Sequence, residues 1–419
     1  MRIGIISDLH LGFRQYGSVE REQDFYNQFI LVCKEINKAG VDMVIVAGDL
    51  FDKATPSPAA INYYRKGIES LNADIIVTIK GNHTMLMRED HYSIDEYFFD
   101  GEKNNYYLLD DKCMTTYEHG YRTEQNKYTK GQNVWIDGIT YRSNSQLDEF
   151  IDKQKELADR TSDRNGYRIL VVHQAFKEFC GFTGEELSIH DINTEPYDAV
   201  ICGHIHSRTD VHLEDGTWFI QPGSIERMNT TEALDDIENG KGFYVLDTRT
   251  NELNFFHILC ERKFLLGDIN ISSEEDLEEH KKELEKTLTK LSLAPIISYD
   301  YHNFCENINH VREYIGQTKD TILLNKSNVY DEVNREIVVE ITDSELPTIY
   351  EALRSATKDM SDEETQLAID IYDNLKDGKD VKKLIDDYFE KNVKTEVKEE
   401  QISNDDIIEL IKYFDELEV

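Results

Sequence analysis

Seven short apolar runs rich in β-branched residues punctuate the first half of the chain, at residues 2–7, 43–47, 75–79, 134–141, 169–172, 199–202 and 218–221. Helical patterns alternate with them. Residues 21–38, for example, place Phe25, Phe29, Val32, Cys33 and Ile36 on one face. This rhythm predicts a layered α/β domain. Several of the runs are apolar throughout, so their strands are expected to be buried on both faces.

The residues that follow these runs narrow the reading further. Asp8 and His10 come after the first run, Asp49 after the second, Asn82 and His83 after the third, His173 after the fifth, and His204 and His206 after the sixth. In open α/β architectures the loops at the C-terminal edge of the strands converge into a site, so residues distant in sequence can meet there. Any one of these histidines alone would read as an ordinary surface or core residue. The ordered set reads as a site.

Imidazole nitrogens mixed with carboxylate and amide oxygens suit a pair of divalent transition metals (manganese, iron or zinc) better than calcium or magnesium. The expected arrangement is Asp8, His10 and His206 on one ion and Asn82, His173 and His204 on the other. Asp49 bridges them from the tight turn that Gly48 allows. Two ions about 3.5–4 Å apart can bind a phosphate diester, neutralise its charge and activate a shared water. His83 is not needed as a ligand, which leaves it to stabilise transition-state charge or to protonate the departing alkoxide. Its plainer role is to hold the Gly81–Asn82 turn.

With 419 residues, 39% of them hydrophobic, the chain suits a globular protein of two or three domains. A net charge of −37 excludes the basic field typical of a free-standing duplex-binding protein. A polyanionic substrate would need metal ions, a local basic patch or a basic partner; solubility alone also accounts for the charge. The six cysteines form no CxxC pair, so neither a disulfide framework nor a thiolate zinc site is expected. The apolar run before Asp8 is too short for a signal peptide, and no stretch reaches the ~18 apolar residues of a membrane span. A soluble cytoplasmic protein is expected.

Near Glu261 the pattern changes. A strand at 263–271, a charged helix at 274–291 and a strand at 335–341 predict a small second α/β domain over 262–345. From Leu346 onward the signals are helical. The capping box Ser361/Glu364 opens one helix and Gly378 ends it, and Val381, Leu384, Ile385, Tyr388 and Phe389 stripe the next. A charged linker, 391–400, precedes a last helix from about Asn404, with Ile407, Ile408, Ile411, Phe414 and Leu417 on one side.

The set Asp8-Leu-His10, Gly48-Asp49, Gly81-Asn82-His83, His173 and Gly203-His204-Ile205-His206 resembles the calcineurin-like metallophosphoesterase superfamily, whose motifs come in this order. Further features resemble SbcD-type nuclease subunits of double-strand-break repair complexes, a group that includes phage recombination endonuclease subunits. These are His10-Leu-Gly12 with Arg21 and Asp24, Gly48-Asp49-Leu-Phe-Asp52, and Gln221-Pro-Gly-Ser224 with Glu226-Arg227. The resemblance covers about residues 1–245 well, the second domain loosely and the tail by architecture.

The resemblance implies a two-sheet metallophosphoesterase sandwich flanked by helices over 1–261, a small α/β capping domain over 262–345 and a helical partner-binding tail over 346–419. It also implies a manganese-dependent DNA nuclease, an exonuclease on duplex ends and an endonuclease on single strands. Such a nuclease works as a homodimer with an SbcC-type coiled-coil ATPase held by the C-terminal helices, in the cytoplasm of a bacterial or phage-infected cell. Arg14, Arg21, Arg88, Arg208 and Arg227 are candidate phosphate contacts. Two departures stand out: Thr84 follows the Asn-His pair where the family usually has an acidic residue, and Asp52 stands where some members carry a histidine. The competing expectations are a phosphoesterase for a small molecule or phosphoprotein, and a non-enzymatic scaffold working through protein partners.

Overall fold

The computed structural model describes residues 1–84, 93–98, 106–115, 133–162, 165–180, 187–238, 240–304, 322–325, 327–331 and 336–340. The chain divides into two compact units, Met1–Asp343 and Ser344–Val419, and every described residue belongs to the first. The expected C-terminal helices and Arg88 lie outside the described residues.

One sheet has the strand order Glu252–His257, Gly242–Asp247, Arg2–Ile6, Met43–Val46, Ile75–Thr78, Tyr106–Leu108. The last four of these run parallel, and the first two form an antiparallel edge. The second sheet has the order Lys112–Thr115, Val134–Ile139, Tyr167–His173, Ala199–Gly203, Trp218–Gln221, Thr209–His212. Its inner four strands are parallel and both edges are antiparallel.

Alternation along the strands decides what each face meets. Ile3, Ile5, Met43, Ile45, Ile75 and Val77 of the first sheet and Ile136, Ile169, Val171, Ala199, Ile201 and Ile220 of the second share one buried core. The opposite face of the first sheet, with Ile6, Val44, Val46 and Ile76, shares a core with Phe29, Val32, Cys33 and Ile36 of the helix Val19–Ala39 and with Tyr64 and Ile68 of the helix Pro58–Ser70. On the far side of the second sheet, Leu170, Val172, Val200 and Phe219 pack with Phe150 and Leu157 of the helix Leu147–Ser162. The result is a helix–sheet–sheet–helix sandwich. Each large aliphatic side chain so buried stabilises it by about 1.5–3 kcal/mol before entropy is subtracted.

Local chemistry sets the helix ends. Ser18 accepts the Arg21 backbone N–H at the start of Val19–Ala39, and Gly40, at φ 65°, closes it in the left-handed region. Ser57 caps the next helix, with Pro58 at its first position.

A third sheet contains Phe264–Ile271, Ile296–Asn303, Asn328–Asp331 and Glu336–Glu340, with Leu324–Asn325 beside the second of these strands. The helix Glu274–Leu288 packs Leu277 and Leu284 against Ile271, Ile297 and Tyr301. A buried ionic knot lies where this region joins the sandwich. Arg262 pairs with Asp24 at 2.5 and 3.1 Å and donates to the Ala294 carbonyl, while Arg21 donates to the same Asp24 Oδ2 at 2.6 Å. No helix among the described residues is long and apolar enough to cross a membrane.

Candidate metal centre

Five parallel strands, three from one sheet and two from the other, end at the same place. Asp8 and His10 follow Arg2–Ile6, Asp49 follows Met43–Val46, and Asn82 and His83 follow Ile75–Thr78. Across the sandwich His173 ends Tyr167–His173, with Gly203 opposite it in the ladder, and His204 and His206 follow Gly203. Pairing continues past the strand ends. Leu9 and His10 both donate their backbone N–H to the Asp49 carbonyl, at 2.8 and 3.1 Å, which holds the first two loops side by side.

The backbone is strained where the candidate ligands stand. Asp8 (φ 51°), His10 (φ 42°), Asp49 (φ 47°) and His204 (φ 89°) all lie at positive φ. That conformation costs a non-glycine residue about 1–2 kcal/mol and is concentrated at functional sites. The glycines beside them leave no room for a side chain. A Cβ on Gly81 would stand 2.0 Å from Asp49 Oδ1, and one on Gly203 would stand 2.0 Å from the Ala47 carbonyl oxygen.

The residues fall into three groups whose ligand atoms converge: Asp8, His10 and His206; Asp49, His173 and His204; and, between these, His10, Asp49 and His83. In the first group His10 Nε2 is 3.1 Å from His206 Nε2, with Asp8 Oδ1 3.9 and 4.0 Å from the two. In the second, His173 Nε2 is 3.1 Å from Asp49 Oδ2, and Asn82 Oδ1 is 3.1 Å from His173 Nε2 and 2.9 Å from His204 Nδ1. Asp49 Oδ2 also lies 3.8 Å from His10 Nε2, so one carboxylate oxygen reaches both groups.

The donor set fits a cation. His173 Nδ1 faces the Ala47 carbonyl at 2.7 Å, and a carbonyl only accepts, so this nitrogen carries the hydrogen. His173 Nε2 then turns a lone pair toward the Asp49 and Asn82 oxygens. Likewise His206 Nδ1 donates to Glu232 Oε1 at 2.9 Å, leaving its Nε2 lone pair toward His10 Nε2. Electron-rich atoms facing one another in a buried site need a positive charge between them.

The titration behaviour follows the same logic. Burial opposes a charge on His173, yet the Asp49 carboxylate lifts its imidazole to about 9, so that a proton can sit where a cation fits. Burial pushes the Asp8 carboxyl up. Asp49 is also buried, but the neighbouring His173 and His10 hold it well below the usual carboxylate range. Burial drives His10 down, and His204 down to about 3, so both favour the neutral, ligating form.

His83 Nδ1 donates to the Asp52 backbone carbonyl at 2.6 Å, and the His83 backbone N–H donates to Asp49 Oδ1 at 3.1 Å. The imidazole is therefore oriented by a main-chain oxygen. Thr84 itself is buried, with its hydroxyl toward the buried Asp95 carboxyl.

The arginines are less uniform than their common expectation. Arg21 is 0% exposed, with its guanidinium enclosed by Gln15, Asp24, Glu226 and the Arg227 carbonyl. It is a core ion-pair residue and presents nothing to a phosphate, so that expectation is corrected. Arg14 is half-exposed and pairs with Glu22 at 2.8 Å. Arg208 stacks on Phe255 and bonds Asp210 and the Tyr244 hydroxyl. Arg227 donates to the Arg262 carbonyl and lies over Phe264.

Glu232 and Lys241, which back His206, were not singled out by sequence. The acidic residue at 232 reads as an ordinary first-turn acid of the helix Thr230–Glu238. The neighbouring motif Gln221-Pro-Gly-Ser224 with Glu226-Arg227 pointed to this part of the chain.

Residues 1–208 match the calcineurin-like phosphoesterase family. DNA double-strand break repair protein Mre11 of Methanocaldococcus jannaschii is 28% identical over 394 residues, covering 92% of this chain and 97% of that one. The Mre11 of Sulfolobus acidocaldarius is 24% identical over 404 residues, covering 92% and 98%. The Mre11 of Archaeoglobus fulgidus is 30% identical over 244 residues, covering 56% and 52%.

Proposed function

We propose that this chain, a member of the calcineurin-like metallophosphoesterase superfamily with Mre11 homologues, is the nuclease subunit of a DNA repair and recombination complex. The observation that carries the reading is the Asp49 carboxylate, shared between the His10 and His173 sides of the site. Two divalent ions, manganese by preference, would supply charge neutralisation of a phosphodiester and a water of lowered pKa.

The chain's own residues have separate tasks. Asp8, His10 and His206 would hold one ion, Asn82, His173 and His204 the other, and Asp49 would serve both. His83, anchored through Nδ1 on Asp52, keeps Nε2 for a phosphoryl oxygen or the leaving group. A cleft of about 320 Å³ beside the site has a lining balanced in charge, with Arg14 and Lys53 set against Glu22 and Asp52, so a strand passing there would rely on the metal ions for neutralisation. Arg14, Arg208 and Arg227 remain candidate phosphate contacts.

The finer reading follows the resemblance: exonuclease action on duplex ends and endonuclease action on single strands, by a homodimer. Residues 262–345 would cap the nuclease domain 1–261, and residues 346–419, whose sequence pattern is helical, would dock an SbcC-type ATPase in the cytoplasm. The net charge of −37 supports dependence on such a partner, because duplex affinity rests on phosphate neutralisation.

The test is manganese-dependent hydrolysis of linear duplex DNA, circular single-stranded DNA and bis-p-nitrophenyl phosphate, with and without the ATPase and ATP. Cleavage of DNA is expected, strengthened by the ATPase. Activity confined to the small ester removes the nuclease claim, and no metal-dependent hydrolysis of any substrate favours a scaffold.

A further inference from the structure

His206 is gripped at both ends by a buried network outside the ligand groups. Its Nδ1–H donates to Glu232 Oε1 at 2.9 Å, and its backbone carbonyl accepts from Lys241 Nζ at 3.0 Å and from the Ser224 N–H at 3.1 Å. Glu232 also accepts from Asn229 Nδ2 at 3.1 Å, the Met228 N–H at 3.0 Å and Lys241 Nζ at 3.2 Å. Lys241 uses its third hydrogen on Ser224 Oγ at 2.7 Å. Glu232 and Lys241 are 8% and 5% exposed, so these charges lie where each needs the other.

The corresponding support of His173 is a neutral main-chain oxygen, that of Ala47. A carboxylate behind an imidazole fixes its tautomer and raises its basicity more than a carbonyl does, and such partners typically change metal affinity 10–100-fold. We infer that Glu232, locked by Lys241 and the Ser224 loop, is a positioning residue that selectively strengthens the ion held by Asp8, His10 and His206. The motif ending in Ser224 thereby acquires a role: it frames the lysine that fixes the carboxylate. The inference rests on the two-ion reading above.

The experiment titrates the full-length, metal-free chain with Mn²⁺, reading stoichiometry and each affinity by calorimetry and electron paramagnetic resonance, with circular dichroism as the check on folding. The wild type is expected to bind two ions. Glu232→Gln is expected to keep one ion at wild-type affinity and to bind the other about 10–100-fold more weakly. The ion that persists should give the same spectrum as the one that persists in His206→Ala. Glu232→Asp keeps a charge for Lys241 while withdrawing the oxygen from His206. It should show the same selective loss, and it decides the matter if the glutamine variant does not fold. Unchanged affinities, or equal weakening of both ions, overturn the inference. A wild type that binds two ions while the variants show no selectivity sinks the inference alone, whereas a wild type that binds none sinks the two-ion reading and the inference with it.

Discussion

The candidate centre is supported differently on its two flanks. Behind His206 every polar group is matched: Glu232, Lys241 and Ser224 satisfy one another and the histidine. Behind the Asn82–Thr84 turn the support is main-chain hydrogen bonding and close contact. The His83 N–H donates to Asp49 Oδ1, Gly81 presses its backbone onto Asp49, and beneath the turn the Thr84 hydroxyl faces the buried Asp95 carboxyl. One flank is held by a buried charge pair and the other chiefly by tight fit. Substitutions that change charge should therefore register on the first flank, and those that change volume on the second.

The strongest challenge to that division is Asp49, which serves both flanks. Asp49→Ala is expected to reduce manganese-dependent ester hydrolysis to background and to lower the number of bound ions measured by calorimetry. An active Asp49→Ala would break the picture of one shared carboxylate. His83→Ala is expected to lower kcat by about 10²–10⁴-fold while leaving metal stoichiometry intact, which separates proton or charge chemistry from binding. Loss of metal in that variant would instead make His83 a ligand.

Gly81→Ala adds one methyl group to the steric flank, at 2.0 Å from Asp49 Oδ1. Activity should fall about 10²-fold, the scale of an ångström-level misplacement, with little change in the circular dichroism spectrum. Wild-type turnover in this variant would show that the turn has slack.

The smallest effect concerns stability. Burial pushes the Asp95 carboxyl up to about 7, from 3.8 for an unperturbed group. The folded state therefore holds a proton that the unfolded chain releases at lower pH. Below about pH 4 there is no penalty, stability declines as pH rises from there, and the full loss, at most about 4 kcal/mol, is reached above about pH 7. Asp95→Asn should raise stability in urea unfolding at pH 8 and leave it unchanged at pH 4. Equal effects at both values would place a hidden partner on Asp95.

Much of this was legible from strand ends. Asp8, His10, Asp49, Asn82, His173, His204 and His206 could be read together because parallel strands deliver their C-terminal loops to one edge, and short apolar runs mark those strands in the sequence. The edge strands were less visible. Glu252–His257 is half polar and Thr209–His212 has Val211 as its one apolar residue, since an edge exposes one face; Ile296–Asn303, inside the third sheet, was obscured by Ser298, Asp300 and His302 among its apolar residues. Arg21 misled because a guanidinium in a basic motif looks the same whether its carboxylates come from DNA or from Asp24 and Glu226, which lie 3 and 205 residues away. Glu232 was missed because its partner is 26 residues upstream and the contact depends on the loop between them.

The left-handed backbone at Asp8, His10, Asp49 and His204 has a consequence for how such a protein persists over generations. Glycine would occupy each of these conformations without the same strain, so sequence drift toward a more stable fold leads away from the four candidate ligands. On the two-ion reading, the sandwich would survive that drift and the metal centre would not. Each of the four side chains then marks a position that foldability alone would not keep.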